Sequence, residues 1–109
     1  MNFSSRIFNK TKSNNQLIGN WLSDLHDAET NNAIGNVKIT FTADGELIYV
    51  ICGDNKNQII HMTYAVDGNI LITDQPSHPH IERTEYFFIN ENTLVLKFNG
   101  EESRFVKLV

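Results

Sequence analysis

Apolar and polar residues alternate along most of the chain, in short runs that end at turn signals. Every second residue is apolar over 37–42, and the same period recurs over 60–66. Strict alternation is typical of a strand with one buried face. The runs are separated by Asp44-Gly45, Asp67-Gly68 and Asn99-Gly100, pairs that favour tight hairpin turns. The pattern therefore predicts an all-β protein built from consecutive hairpins.

Eight strands are predicted, in simple up-and-down order. They cover about residues 17–25, 33–42, 46–52, 58–66, 69–73, 80–89, 93–98 and 103–108. The polar, Asn-rich stretch 26–32 is predicted to be a loop, and Pro76 and Pro79 place a longer loop before the sixth strand. A closed barrel of eight strands encloses side chains or one small ligand. We therefore expect an eight-stranded antiparallel barrel over residues 17–109.

Residues 1–16 precede the barrel as a polar segment rich in Asn, Ser and Lys. Phe3, Ile7 and Phe8 are spaced to form one apolar face, which favours a short helix over one barrel end rather than a frayed arm. The sequence shows no secretory signal and no membrane-spanning apolar run. A cytoplasmic protein is the default expectation, although an exported form with its leader replaced by an initiator Met would look the same.

The composition and charge of the chain limit the classes of function that it can have. The 109 residues are 40% hydrophobic, enough for one domain with its own core. The net charge of −4 is spread along the chain, without the basic patch that nucleic-acid binding needs. Cys52 is the single cysteine, so no intrachain disulfide forms, and its place in an apolar run predicts a small buried side chain.

Several segments together resemble the bacterial lipocalin-like proteins, small calycin-type relatives of the lipocalin and fatty-acid-binding barrels. The resemblance covers about residues 17–109 and uses, in order, Leu17-Ile18-Gly19-Asn20-Trp21, Ile39–Leu47, Tyr64–Leu71, Thr93–Leu96 and Arg104–Lys107. It implies that Trp21 plugs the closed end of the barrel beneath a cation from the last strand, either Lys107 or Arg104. It also implies that Gly19 lets the first strand bend into the barrel floor. These roles are structural.

The aromatic and apolar residues of the predicted inner faces are the candidate ligand-binding residues. They are Phe41, Tyr49, Met62, Tyr64, Tyr86, Phe88, Leu96 and Phe98. Tyrosines suit a mostly apolar pocket with a few polar anchors. The same side chains would equally fill a small barrel that has no cavity, and the sequence leaves both arrangements open.

The sixth strand carries a charged stretch. Glu82, Arg83 and Glu85 are predicted to form an exposed strip of compensating charges. The alternative places Arg83 or Glu85 inside the barrel, where an arginine would hold a carboxylate ligand. The pattern does not fix which face of residues 80–89 points inward, because a shift of one residue exchanges the two faces.

The sequence offers few residues that could form a metal site or a catalytic site. His78 and His80 share one side of an extended segment, but a metal site needs three or four placed ligands. The sequence assigns no third ligand, and His26, His61 and Asp74 are only possible ones, so a solvated loop is favoured. The sequence contains no nucleophile elbow and no phosphate-binding loop. No catalytic residue, metal or cofactor is predicted.

The sequence thus predicts a non-enzymatic barrel that binds a small apolar or amphipathic ligand. The alternative is a protein–protein interaction module with a filled barrel, either an inhibitor or immunity-type protein or a homodimer. That alternative rests on the acidic balance and on the third strand, where 47–51 is apolar on both faces. Neither nucleic acid nor a membrane span is expected in either case.

Overall fold

The computed structural model describes residues 16–98 and 100–108. In this part of the chain it contains one short helix, α1 (Ala28–Ala33), and the strands β1 Gly19–Ser23, β2 Val37–Phe41, β3 Glu46–Cys52, β4 Asn57–Asp67, β5 Ile70–Asp74, β6 Ile81–Asn90, β7 Thr93–Phe98 and β8 Glu101–Lys107. Each strand pairs antiparallel with the next, and β8 returns to β1. The predicted eight-stranded up-and-down barrel is confirmed. The predicted arm or helix covers residues 1–16, of which 1–15 lie outside the described residues; Gln16 is helical.

The alternation of the sequence sorts side chains between the barrel interior and its outer surface. The register places Ile39 beside Tyr49 and Tyr49 beside Ile60, so all three side chains point inward. The largest fully buried side chains are Trp21, Phe41, Phe105, Leu17, Ile39, Leu47, Leu94, Val95 and Thr30. Among the described residues no helix has the length and apolar character needed to cross a lipid bilayer.

The seam that closes the barrel is short. β1 and β8 pair over only three positions, from Trp21 with Lys107 to Ser23 with Phe105. Ser23 is buried and pins the chain beyond β1, because its hydroxyl donates to the Gly35 carbonyl at 2.8 Å and accepts from the Val37 amide at 2.9 Å. Beyond Ser23 the Asp24 amide still donates to the Arg104 carbonyl at 2.9 Å, and the rest of β8 needs another partner.

Helix α1 provides that partner, and the prediction of a loop over 26–32 is wrong there. Asp27 caps the helix by accepting from the Thr30 amide at 3.1 Å and the Thr30 hydroxyl at 2.6 Å. These bonds to Thr30 lower the pKa of Asp27. The sequence of α1 has no apolar period, so its cap and its tertiary contacts hold it in place.

Side chains of α1 bind the free edge of β8. The Thr30 hydroxyl accepts from the Arg104 amide at 2.8 Å, and the Glu29 carboxylate accepts from the Glu102 amide at 2.8 Å. Thr30 is fully buried. The helix thus continues the barrel wall where β1 ends, and it shortens the second strand, which begins at Val37 rather than near residue 33.

We expect Thr30→Val to lower the free energy of unfolding by about 1–3 kcal/mol, because the Arg104 amide loses its acceptor while the side-chain shape is kept. Chemical denaturation followed by Trp21 fluorescence measures this change. Thr63→Val is the matched control, since Thr63 is exposed on β4. Equal stability of the two variants would show that the Thr30 contact does not hold α1 on β8.

A second pair of variants tests the two faces of β3. Leu47 points inward and is only 2% exposed, whereas its neighbour Ile48 points outward and is half-buried. Leu47→Lys should prevent folding, since an unpaired ammonium in the core costs a large part of the roughly 5–15 kcal/mol that stabilises a domain. Ile48→Lys should retain the native circular dichroism and a cooperative thermal transition. Loss of the fold in Ile48→Lys would contradict the outward orientation of Ile48.

Candidate ligand-binding site

The two ends of the barrel differ, and Trp21 occupies the closed end. Its side chain is fully buried, and its indole Nε1 donates a hydrogen bond to the Leu17 carbonyl at 2.8 Å. The Lys107 Nζ lies 5.4 Å from the centre of the indole ring. A cation in this position adds about 0.5–2 kcal/mol to the hydrophobic contribution of the ring. These contacts seal the barrel floor.

Of the two cations proposed for this role, the structure brings only Lys107 to the indole. Arg104 lies on the outer face of β8, opposite Val95, and is exposed. Gly19 lies directly under Lys107 with a φ of +133°, and a Cβ there would lie 3.2 Å from the Lys107 Cε. Glycine at this position allows both the backbone turn and the close approach of Lys107.

Three of the predicted ligand-binding residues pack towards the closed end and are absent from the lining of the cavity in the other half of the barrel. Phe88 lies 6.0 Å from Trp21 and 6.0 Å from Tyr86 between ring centres. Tyr64 packs edge-on against Phe41 at 5.0 Å. These rings pack against one another inside the barrel, and edge-to-face geometry is favourable for such pairs.

The hydroxyls of the two tyrosines in this cluster hold hairpin turns. Tyr64 Oη donates to the Thr42 carbonyl at 2.8 Å, and Tyr86 Oη donates to the Gly68 carbonyl at 3.1 Å. Burial raises the pKa of both phenols, and Asp44 adds to the effect at Tyr64. Their hydroxyl protons are committed to backbone carbonyls, so these tyrosines serve the fold.

The other half of the barrel is hollow. A cavity of about 380 Å³ is lined by Ile34, Ile39, Phe41, Leu47, Tyr49, Ile60, Met62, Leu71, Thr73, Gln75, Glu82, Thr84, Leu96, Phe98, Ser103 and Phe105. Five of the predicted ligand-binding residues belong to this lining, namely Phe41, Tyr49, Met62, Leu96 and Phe98. Ile34, which follows α1, closes the wall beside β8.

A carboxylate lines this cavity, and the sequence reasoning assigned it to the surface. Glu82 lies opposite Thr73 on β5, and the alternation through Thr84 and Tyr86, both buried, directs it inward. The Glu82 side chain is 40% exposed but faces the cavity, so the predicted outward-facing strip is wrong in direction for Glu82. Arg83 and Glu85 are exposed and point outward, against the alternative that placed one of them inside. The alternation that places Tyr86 inside would have placed Glu82 there too.

The histidines do not assemble a metal site. The His78 amide donates to the Gln75 carbonyl at 3.0 Å in a turn, and the His80 Nε2 lies 3.9 Å from a Glu82 carboxylate oxygen. Over residues 16–98 and 100–108, no three His, Cys, Asp or Glu side chains are grouped to hold an ion. Cys52 is half-buried at the end of β3 rather than buried.

Comparison with known proteins gave no match: no protein-family model, no curated protein and no solved structure is significantly similar to this chain. The candidate site is therefore interpreted from its geometry and from the resemblance of the sequence segments described above.

We expect Gly19→Asn to lower the free energy of unfolding by about 1–3 kcal/mol, since its φ of +133° is strained for any side chain and its Cβ would press on Lys107. Gly68→Asn is the matched control, because Gly68 has a φ of +62°, which asparagine tolerates, and open space around it. Thermal unfolding measures both. An equal loss of stability in the two variants would contradict a special role for Gly19.

Proposed function

We propose that this protein is a non-enzymatic, lipocalin-like barrel that binds a small apolar or amphipathic molecule in the cavity of its hollow half. The observation that carries the proposal is the cavity itself, about 380 Å³ enclosed by inward-facing side chains of the strands. Ligand sites of proteins are typically concave, mostly apolar and at least roughly 300 Å³ in volume. A small barrel whose only task was to fold would fill this space with side chains.

The volume and lining indicate what kind of molecule fits. A cavity of roughly 150 Å³ holds one benzene ring, so 380 Å³ has room for about two such units. Most of the lining is aliphatic or aromatic, which favours an apolar ligand body. Hydroxyl groups from Tyr49, Thr73, Thr84 and Ser103 supply the few polar contacts that orient a ligand.

No reaction is assigned to this site. In the part of the chain that the structure describes, no serine, threonine or cysteine of the lining is hydrogen-bonded to a histidine or carboxylate that would activate it as a nucleophile. A site that binds a ligand without converting it accounts for a cavity whose apolar wall carries a few hydroxyl groups.

A protein-interaction role rests on a different surface. Ile48, Val50 and Ile59 lie on the outer faces of β3 and β4, with Val50 directly opposite Ile59, which is 58% exposed. Three side chains make a patch far smaller than the roughly 800 Å² per partner of a stable interface. Single exposed apolar residues are common on protein surfaces. The cavity is therefore the better-supported site.

We expect the wild-type protein to enhance the fluorescence of the neutral apolar dye N-phenyl-1-naphthylamine with saturable binding. The dye's own emission is the readout, because Trp21 lies in the packed closed end and does not line the cavity. Thr73→Phe should weaken dye binding by at least roughly tenfold, since a phenyl ring there occupies space that the dye needs.

Thr63→Phe is the matched control, because Thr63 points outward on the neighbouring strand β4 and is exposed. It should bind the dye as the wild type does. Two results would contradict the proposal: no saturable binding to the wild type, or equal binding by Thr73→Phe in a protein that retains its native circular dichroism.

A further inference from the structure

The cavity has an electrostatic character that the apolar lining alone does not reveal. Of the lining residues that the structure describes, Glu82 and Tyr49 are the ones that titrate, and no lysine, arginine or histidine is among them. Burial raises the pKa of Tyr49, and the carboxylate of Glu82 raises it further. The tyrosine therefore stays neutral, and Glu82 provides the charge of the cavity wall.

The position of Glu82 suits a ligand head group. Its side chain is 40% exposed, so it lies where the cavity meets solvent, and Thr73 stands opposite it on β5. Tyr49 and Glu82 both line the cavity, and the negative charge of Glu82 adds to the effect of burial in raising the pKa of Tyr49. A ligand held by its apolar body between them would present its polar end to a carboxylate.

Among the described residues, His80 is the one basic group within 4.0 Å of this carboxylate, and it leaves Glu82 available to a ligand. The His80 Nε2 is 3.9 Å from the Glu82 oxygen, beyond hydrogen-bond distance, and the His80 side chain is 68% exposed. Exposed pairs of this kind are weak because water screens them. A cationic group that enters from the cavity side would make a shorter, better-shielded contact.

The Tyr49 hydroxyl is the second polar group available to a ligand. Unlike Tyr64 and Tyr86, whose hydroxyls donate to turn carbonyls, Tyr49 donates to no acceptor found among the described residues. Because it remains protonated, it can donate to or accept from a ligand. One carboxylate and one neutral hydroxyl together match a polar end that offers several N–H donors.

From these features we infer that the ligand is a small amphipathic amine, with an ammonium group on Glu82 and an apolar body in the cavity. This inference rests on the proposed function and specifies its ligand class. A fatty acid or other carboxylate would place its negative charge beside Glu82, which is unfavourable. The acidic net charge of −4 further attracts cationic molecules to the protein.

The test compares three probes with the same apolar body: hexylamine, hexanol and hexanoate. Each displaces N-phenyl-1-naphthylamine from the wild-type protein at neutral pH and moderate salt. Hexylamine should compete at a concentration roughly tenfold lower than hexanoate, as expected for a charged hydrogen bond in the complex. Hexanol should fall between them.

The variant Glu82→Gln should lose this preference, so that hexylamine weakens roughly tenfold while hexanol is unchanged. Glu85→Gln is the matched control: it removes the same charge from an outward-facing position three residues further along β6, and it should behave as the wild type. This control separates a direct contact from a change of net charge.

The outcomes distinguish the two proposals. If the dye and hexanol bind but hexylamine and hexanoate compete equally, or if Glu82→Gln keeps the amine preference, the amine inference is overturned while the binding function stands. If Glu85→Gln loses the preference as much as Glu82→Gln, the effect is one of net charge and the inference is likewise overturned. If neither the dye nor hexanol binds, both proposals fail together.

Discussion

The barrel depends on the meeting of its first and last strands, and they meet over only three residue pairs. By contrast, β3 and β4 pair over seven positions. The missing length of the seam is supplied by side chains, since Thr30 and Glu29 of α1 accept hydrogen bonds from the amides of β8. An open sheet would expose its apolar inner face and an unpaired edge, which proteins avoid. The short helix is therefore part of the wall.

This closure also explains why one barrel has two different ends. At the floor, Trp21, Phe88 and Tyr86 fill the interior, and Lys107 covers the indole. At the other end the wall is completed by α1, and the interior there is hollow. The interior is thus divided into a half packed around Trp21 and a half that holds the cavity, whose lining combines aromatic and aliphatic side chains with a few Thr and Ser hydroxyls. The three tyrosines follow this division: two hold turns and Tyr49 lines the cavity.

Much of the fold could be predicted from the sequence. In a strand with one buried face every second residue is apolar, and Asp-Gly pairs indicate the hairpin turns. Most predicted strand boundaries lie within a few residues of the observed ones. Helix α1 was missed for a physical reason: its six residues, rich in Asn, have no apolar face, and contacts with β8 hold it in place. The local sequence pattern contains no information about such tertiary contacts.

The candidate site was predicted in part. Alternation identified Phe41, Tyr49, Met62, Leu96 and Phe98, which line the cavity. It did not separate them from Tyr64, Tyr86 and Phe88, because inward orientation says nothing about position along the barrel axis. Glu82 was missed because its charged neighbours suggested a surface strip, although the period running through Tyr86 included it. The cavity exists because the barrel wall surrounds more volume than the inward-facing side chains occupy. That difference can be determined only from the three-dimensional structure.

The turn-holding phenols have a consequence for behaviour in base. Tyr64 and Tyr86 each keep a proton that bonds a hairpin carbonyl, and burial raises the pKa of both above the unfolded value of about 10. A raised folded pKa means that their contribution is complete below pH 10 and declines as alkalinity increases beyond it. Each of the two hairpins would then lose its tether as the pH rises through the folded-state pKa of its phenol. Strong alkali therefore weakens two turns at the packed end of the barrel.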